Sequence, residues 1–214
     1  MFHFAYKILN WTRGLDFLAP LAFRLYLAPI FIVFGFNKIT HIDSIIQWFE
    51  HGLGLPMPTL MAYLAAYTEF LGGIALLVGL ATRFVAIPLM ITMLVAAATA
   101  HWSNGWFAIA PTDPSTNIAS LFAPLGVEAA QESLNNSIEV GKRLKAARGL
   151  LKEHGHYEWL TETGGFTILN NGIEFAVTYF IMLLSLFFVG AGRWLSIDFW
   201  ILRSQLQAKK AYIE

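Results

Sequence analysis

Four long stretches of the chain carry apolar side chains with few interruptions. They cover residues 18–36, 59–80, 84–100 and 173–190, and each approaches the roughly 20 apolar residues that cross the hydrocarbon core of a bilayer. Polar or small residues recur within them at three- and four-residue steps, which is helical spacing. The pattern predicts an all-α membrane protein in which four membrane-spanning helices form a bundle.

About 70 residues separate the third and fourth apolar stretches, and this connection has a helical pattern of its own. Its apolar and small positions share one face: Val127, Ala130, Leu134, Ile138, Gly141, Leu144, Ala147 and Leu151. Glu139 and Arg143 are expected to form a supporting i,i+4 pair, and Gly155 offers a C-terminal stop. We predict an amphipathic insertion over about residues 126–163 that lies on the outer membrane surface or caps the bundle. Residues 1–214 are thus expected to form a single membrane domain.

The distribution of basic residues predicts the orientation of the chain, because cytoplasmic segments near the spans are enriched in Lys and Arg. The termini and the turn between the second and third stretches carry Lys7, Arg13, Arg83, Arg193 and Arg203. The connection after the first stretch offers Lys38 alone. Both termini are therefore expected in the cytoplasm, with the long insertion on the extracytoplasmic side.

Composition excludes several classes of function. Hydrophobic residues make up 57% of the 214 residues and charged residues 13%, whereas soluble domains carry roughly 25% charged residues. Lys plus Arg and Asp plus Glu number 14 each, so there is no basic excess of the kind that nucleic-acid binders use. The chain has no cysteine. It therefore cannot by itself ligate an iron–sulfur cluster, attach haem covalently or exchange disulfides.

Ionisable residues inside the apolar stretches are candidate functional groups, because each costs about 2.5–3.5 kcal/mol at the bilayer centre. Arg24 and Glu69 are expected to meet. Three interpretations stay open: a structural ion pair that locks two helices, a pair that lines a cavity for a polar headgroup such as a quinone, or an Arg24 that snorkels without Glu69. Lys38 and Glu174 lie near the outer edge, where either a second contact or simple snorkelling of the lysine is open.

The paired glycines Gly72 and Gly73 follow Glu69 on the same helix face. Glycine lets two membrane helices approach closely. We therefore expect another helix to pack against the second apolar stretch beside the carboxylate.

Five of the six histidines are expected on the extracytoplasmic side: His41, His51, His101, His154 and His156. Imidazole suits copper and zinc, so these residues are candidate metal ligands. His154 and His156 are equally explained by the preference of His for helix C-termini. No histidine lies at mid-depth in a span, which argues against a bis-histidine haem inside the bundle.

The motif at residues 34–38, Phe-Gly-Phe-Asn-Lys, resembles the end of the first span in the DoxX family of small four-span membrane proteins. The run from Glu69 to Gly73, continuing through residues 77–80 to Arg83, is similar to the same family. The resemblance covers roughly residues 15–110 and resumes in the last span. The segment from His101 to Ile109, with the long insertion after it, resembles the HvfX subgroup, which is associated with the biosynthesis of copper-binding modified peptides in bacteria.

The resemblance implies a bacterial inner-membrane component of redox pathways. Relatives are linked to quinone-dependent thiosulfate oxidation and to membrane-associated oxidoreductase complexes. The charged positions of the family carry over as Arg24, Lys38, Glu69 and Arg83, and no catalytic residue is assigned. The implied cofactor is a quinone, with copper as a second ligand to test.

Three hypotheses about function follow. In the first, the bundle binds a quinone-like ligand, serves a soluble or membrane oxidoreductase, and supports maturation of a copper-binding modified peptide by peptide-maturation proteins. In the second, the chain is a non-enzymatic export or copper-tolerance module. In the third, it is a membrane scaffold for soluble partners. In all three hypotheses membrane lipid surrounds the chain, and the formation of homo-oligomers stays open.

Overall fold

A computed structural model describes residues 12–213 and the side chains of residues 12–209. Lys7, used above for the orientation, lies outside the described residues. The described chain is helical and divides into two compact units. The first comprises residues 12–99 and 176–213, and the second comprises residues 100–175.

In chain order the α-helices of the described residues are α1 (Leu18–Thr40), α2 (Ile42–Gln47), α3 (Pro58–Val78), α4 (Thr82–Ala96), α5 (Glu128–His154), α6 (Tyr157–Leu160), α7 (Glu174–Val189) and α8 (Ile197–Ile213). The bounds of α1, α3, α4 and α7 agree with the four predicted apolar stretches to within a few residues. α2 continues as a π-helical turn over Trp48–Gly52, and α4 continues over Ala97–His101.

Within the described residues, three helical segments are long and apolar enough to cross a membrane: Leu18–Thr40, Pro58–Val78 and Thr82–Asn104. α7 is apolar but has 16 residues, which at 1.5 Å per residue span about 24 Å, against roughly 30 Å of hydrocarbon. The chain is therefore a membrane protein with three helices of spanning length. A fourth crossing by α7 stays a prediction.

α1 and α3 run antiparallel and approach each other at glycines. A Cβ added to Gly73 would lie 2.8 Å from the backbone nitrogen of Ile32, and one added to Gly35 would lie 2.7 Å from the Cα of Phe70. Real Cβ atoms do not come so close to backbone, so only glycine fits at these two points. The close helix approach that the sequence predicts at Gly73 is confirmed.

The core of the first unit is built from α1, α3, α4 and α7. Its fully buried large members are Leu27, Phe31, Leu76, Leu89, Leu183 and Leu186. The opposite faces of these helices are apolar but exposed, as at Val33, Leu71 and Phe84, which is 78% exposed. Apolar outer faces are expected where lipid, rather than water, surrounds a helix.

In the second unit, the helix α5 lies within the predicted insertion, and its placement on the membrane surface or over the bundle stays a prediction. Its buried residues are Ala130, Ser137, Val140 and Leu144, and the backbone N–H of Gly155 closes its last turn on the Leu151 carbonyl. The buried Asn117 side chain donates to the Ser137 hydroxyl at 2.9 Å and so fastens the preceding loop to α5. One detail of the prediction is wrong. Glu139 accepts from Lys142 at 2.8 Å rather than from Arg143, and this lysine lowers the pKa of Glu139.

We predict that Gly35→Ala destabilises the protein, because the new methyl group meets the backbone of Phe70 in a neighbouring helix. Gly72→Ala is the matched control, since its Cβ would meet only the flexible side-chain end of Leu89 at 3.1 Å. Both substitutions gain about 1 kcal/mol of helix propensity. In detergent, the melting temperature of Gly35→Ala should fall by several degrees relative to Gly72→Ala. Equal melting temperatures would contradict the close α1–α3 approach.

Candidate functional site

Arg24 is the most fully buried charged residue among those that the structure describes, with 1% of its surface exposed. It lies in the second turn of α1, and its guanidinium donates to four backbone carbonyls. The acceptors are Leu76 at 2.7 Å, Leu77 at 2.8 Å, Ala191 at 2.8 Å and Leu195 at 3.0 Å. One cation thus ties the start of α1 to the end of α3 and to the segment after α7.

The end of α3 explains why an arginine is stable there. The last carbonyls of a helix lack partners within it and carry partial negative charge. Gly79, in the left-handed conformation, and Leu80 close two of them, those of Leu76 and Ala75. Arg24 takes the carbonyl of Leu77 and shares that of Leu76. A buried guanidinium is compatible with these surroundings because carbonyl oxygens replace its water.

The predicted pairing of Arg24 with Glu69 is wrong. Glu69 lies seven residues before Leu76 on α3, about 10 Å along the axis, and Arg24 is held at the carbonyl end of that helix. Because α1 and α3 are antiparallel, the residue that reaches Glu69 comes from the other end of α1. That residue is Lys38.

Lys38 and Glu69 form a buried ion pair in the α1–α3 seam, which is the contact surface between these two helices. The ammonium donates to Glu69 Oε2 at 2.5 Å, and 7% of the Glu69 side chain is exposed, against 22% for Lys38. The lysine nitrogen also lies 6.0 Å from the centre of the Phe34 ring. A carboxylate buried to this degree is stable only beside a partner of opposite charge. The pair therefore fixes the axial register of α1 against α3.

The two remaining predicted charged positions contact backbone. In the second unit, Glu174 Oε2 accepts from the backbone N–H of Ala108 at 2.9 Å. A contact between Glu174 and Lys38 stays a prediction. In the first unit, Arg83 Nη2 lies 3.5 Å from the Val189 carbonyl.

Asp198, which the sequence analysis did not single out, fixes the turn between α3 and α4. Its carboxylate accepts from the backbone N–H groups of Ala81 at 2.6 Å and Thr82 at 2.9 Å, where α4 begins. Its own N–H donates to the Gly79 carbonyl. The sequence does contain an indication of this helix start, because Ser196 precedes an amphipathic segment. In the structure, the Ser196 hydroxyl caps α8 by accepting from Phe199 N–H at 3.3 Å. That pattern marks a helix start and places an acidic residue in its first turn.

A groove of about 470 Å³ opens beside Arg24 in the first unit. Apart from Ser196, its walls are apolar and aromatic, formed by α1, the end of α3, the segment before α8 and the start of α8: Leu21, Leu25, Leu77, Val78, Trp194, Leu195, Ile197 and Trp200. A guanidinium has five N–H groups, and Arg24 uses four of them on the carbonyls above. One N–H on Nη2 has no acceptor among residues 12–213. The groove thus combines apolar walls with one buried donor.

Trp194 shapes this groove in a strained conformation. Its φ is 69°, in the left-handed region that costs a bulky residue about 1–3 kcal/mol. The Arg24 bonds to Ala191 and Leu195 hold the chain on either side of Trp194. Trp200 Nε1 also donates to the Trp194 carbonyl at 2.8 Å.

None of the histidines among the described residues belongs to a metal-binding cluster. Across residues 12–213 the structure contains no group of three His, Cys, Asp or Glu side chains placed to hold a metal ion. His41 Nδ1 lies 3.0 Å from the Asn37 carbonyl, and His101 Nδ1 lies 2.8 Å from that of Asn171. His51 and His154 lie 3.9 Å from the neighbouring carboxylates of Glu50 and Glu153. Metal binding by these residues and by His156 stays a prediction.

Comparison with known proteins gives one family. The DoxX family profile matches residues 19–102. "Inner membrane protein YphA" of Escherichia coli (strain K12) is 33% identical over 110 residues, which are 48% of this chain and 78% of that protein. "Putative oxidoreductase CatD" of Bacillus subtilis (strain 168) is 33% identical over 82 residues, which are 38% of this chain and 59% of that protein, so less than two thirds of its length is covered. No solved structure matches the chain.

We predict that Lys38→Met destabilises the protein because it leaves the Glu69 carboxylate buried without its cation. Adding Glu69→Leu should recover part of the loss, since the pair is then replaced by apolar side chains. Melting temperatures of the two single variants and the double variant measure the coupling. Lys142→Met is the control, because Lys142 forms an exposed pair with Glu139 and such pairs contribute little. Strictly additive effects of Lys38→Met and Glu69→Leu would contradict the pairing.

We also predict that Asp198→Ala lowers stability by about 1 kcal/mol, because two N–H groups at the start of α4 lose their acceptor. Asp43→Ala is the matched control: Asp43 lies in the first turn of α2, which has no side-chain cap bond. Thermal unfolding of both variants in the same detergent makes the comparison. Equal losses would show that the Asp198 contacts are not stabilising.

Proposed function

This chain belongs to the DoxX family, and on that premise we propose that it is an inner-membrane accessory component of an oxidoreductase pathway that binds a quinone-like ligand in the groove beside Arg24. The observation that carries the proposal is the groove itself, in which a buried guanidinium faces apolar and aromatic walls. The electrons come from a partner oxidoreductase, and this chain binds and orients the ligand.

The chemistry of the groove matches a quinone. A quinone offers a flat apolar ring, carbonyl oxygens that accept hydrogen bonds, and an apolar tail that stays in lipid. Trp194 and Trp200 supply aromatic surface for the ring. The remaining Nη2 N–H of Arg24 supplies a donor for one carbonyl oxygen. A volume of about 470 Å³ falls in the range of small-molecule sites.

The strain at Trp194 supports the same proposal. Strained backbone persists where surrounding contacts maintain it, and it concentrates at functional sites. Two carbonyl contacts of Arg24 and one indole bond maintain this segment beside the groove. The name "Putative oxidoreductase CatD" is in keeping with a redox role, and "Inner membrane protein YphA" with an inner-membrane location.

The proposed topology has four crossings, with α7 as the fourth and both termini in the cytoplasm. Arg193, just after α7, pairs with Asp16, just before α1, at 2.6 Å. The start of α1 and the end of α7 therefore lie at the same end of the first unit, as an even number of crossings requires. Since this chain lacks cysteine, single cysteines at residues 12 and 140 can be labelled with an impermeant reagent. Labelling of both from one side would overturn the topology.

The pathway that we propose is the maturation of a copper-binding modified peptide. This part rests on the resemblance of residues 101–109 and the following insertion to the HvfX subgroup. Deleting the gene for this chain should leave the peptide unmodified, as measured by its mass, while peptide synthesis continues. Normal modification in the deletion strain would remove this part of the proposal and leave quinone binding to its own test.

The quinone proposal is tested with the purified full chain in lipid nanodiscs and a short-tailed ubiquinone analogue, with binding measured by equilibrium dialysis. Trp200→Leu removes one aromatic wall and should raise the Kd at least about twofold, because an aromatic contact contributes about 0.5–1.5 kcal/mol beyond its area. Trp48→Leu is the matched control: Trp48 is 46% exposed, against 51% for Trp200, and lies outside the groove. Equal affinity of the wild type and Trp200→Leu would overturn the proposal.

A further inference from the structure

A second groove, in the second unit, is basic rather than apolar. It has a volume of about 410 Å³ and is lined by Thr112, Gly141, Leu144, Lys145, Arg148, Gly149 and Lys152. Apart from Thr112, all of these residues belong to α5. Gly141, Lys145, Arg148 and Lys152 follow each other at four-, three- and four-residue steps, so they form one stripe along the helix.

Glycines open the space between the cations. A Cβ added to Gly149 would meet nothing within 4 Å, whereas one added to Gly141 would collide with the Thr112 carbonyl. The Thr112 backbone therefore closes one end of the groove, and the surface over Gly149 stays open. A ligand can thus reach the cations from outside.

The three cations lack carboxylate partners. Over the part of the chain that the structure describes, no Asp or Glu forms an ion pair with Lys145, Arg148 or Lys152. Like charges one turn apart on a helix repel each other. An anion in the groove would remove this repulsion.

Arg148 adds an independent sign of a missing acceptor. Its Nη2 donates to the Phe166 carbonyl at 2.9 Å, which holds the guanidinium in place. Its Nε, however, is buried and has no hydrogen-bond partner among the described residues. A buried donor without an acceptor is costly, so the described residues alone do not satisfy the Arg148 guanidinium. Lys152 is also positioned, with its nitrogen 5.2 Å from the centre of the Tyr157 ring.

We propose that this groove is an anion site, in which Lys145, Arg148 and Lys152 bind a phosphate group. A phosphate offers several acceptor oxygens and up to two negative charges, which suit one guanidinium fork and two ammonium groups. The phosphate can belong to the headgroup of an anionic lipid or to a soluble phosphate compound. The two sources share the chemistry and are separated by experiment. The site is independent of the quinone groove.

The test uses the full chain in phosphate-free maltoside detergent and two probes. Inorganic phosphate is titrated by calorimetry, and retention of phosphatidylglycerol against phosphatidylcholine is measured by native mass spectrometry. Lys145→Gln/Lys152→Gln should weaken phosphate binding about tenfold or more, because each charge-assisted bond is strong. Lys142→Gln removes the same charge from the same helix outside the groove, and it should change the Kd by less than about twofold.

A second variant guards against misfolding of the first. Gly149→Glu keeps all three cations, favours the helix and adds a carboxylate where space is open, so it should also abolish phosphate binding. Preferential retention of phosphatidylglycerol that the same variants remove would identify a lipid as the source, and phosphate binding without it would identify a soluble one. The proposal is overturned if the wild type binds neither probe, if Gly149→Glu binds as the wild type does, or if Lys142→Gln loses as much affinity as the groove variants.

Discussion

The buried guanidinium of Arg24 organises the first unit through its hydrogen bonds to backbone carbonyls at the end of α3 and after α7. Arg24 is placed in an apolar helix, where its charge needs compensation, and four backbone oxygens supply it. These oxygens belong to the end of α3 and to the segment after α7. The same contact therefore stabilises the helix end, holds Trp194 in a strained conformation and forms the floor of the groove. Stability and the candidate site depend on one side chain.

The second constraint is the seam between α1 and α3. Gly35 and Gly73 let the two backbones touch, and this approach determines which residues face each other along the antiparallel pair. Lys38 then reaches Glu69 from one end of α1, while Arg24 meets the end of α3 from the other. The two charged groups of the seam thus have separate roles. The Lys38–Glu69 pair stabilises the axial register of α1 against α3, and Arg24 lines the groove.

The two grooves differ in the chemistry that they offer. The one beside Arg24 has apolar and aromatic walls and one spare donor, which suits a neutral ring with carbonyl acceptors. The one on α5 has three cations without carboxylate partners and a buried donor without an acceptor, which suits an oxyanion. The chain belongs to the DoxX family, and the first groove lies beside α1 and α3, two helices of membrane-spanning length. The second groove belongs to the insertion after the family match.

Hydrophobic periodicity alone determined the four apolar helices: α1, α3, α4 and α7 begin and end within a few residues of the predicted stretches, because apolar length and spacing are local properties. The same reasoning identified Arg24, Lys38 and Glu69 as residues that need partners, since the cost of burying charge does not depend on the fold. Only the tertiary structure decided which partners they have. The acceptors of Arg24 are backbone carbonyls, which every residue carries and which therefore leave no mark in the sequence. The axial register of α1 against α3, set by two glycine contacts, placed Glu69 beside Lys38 instead.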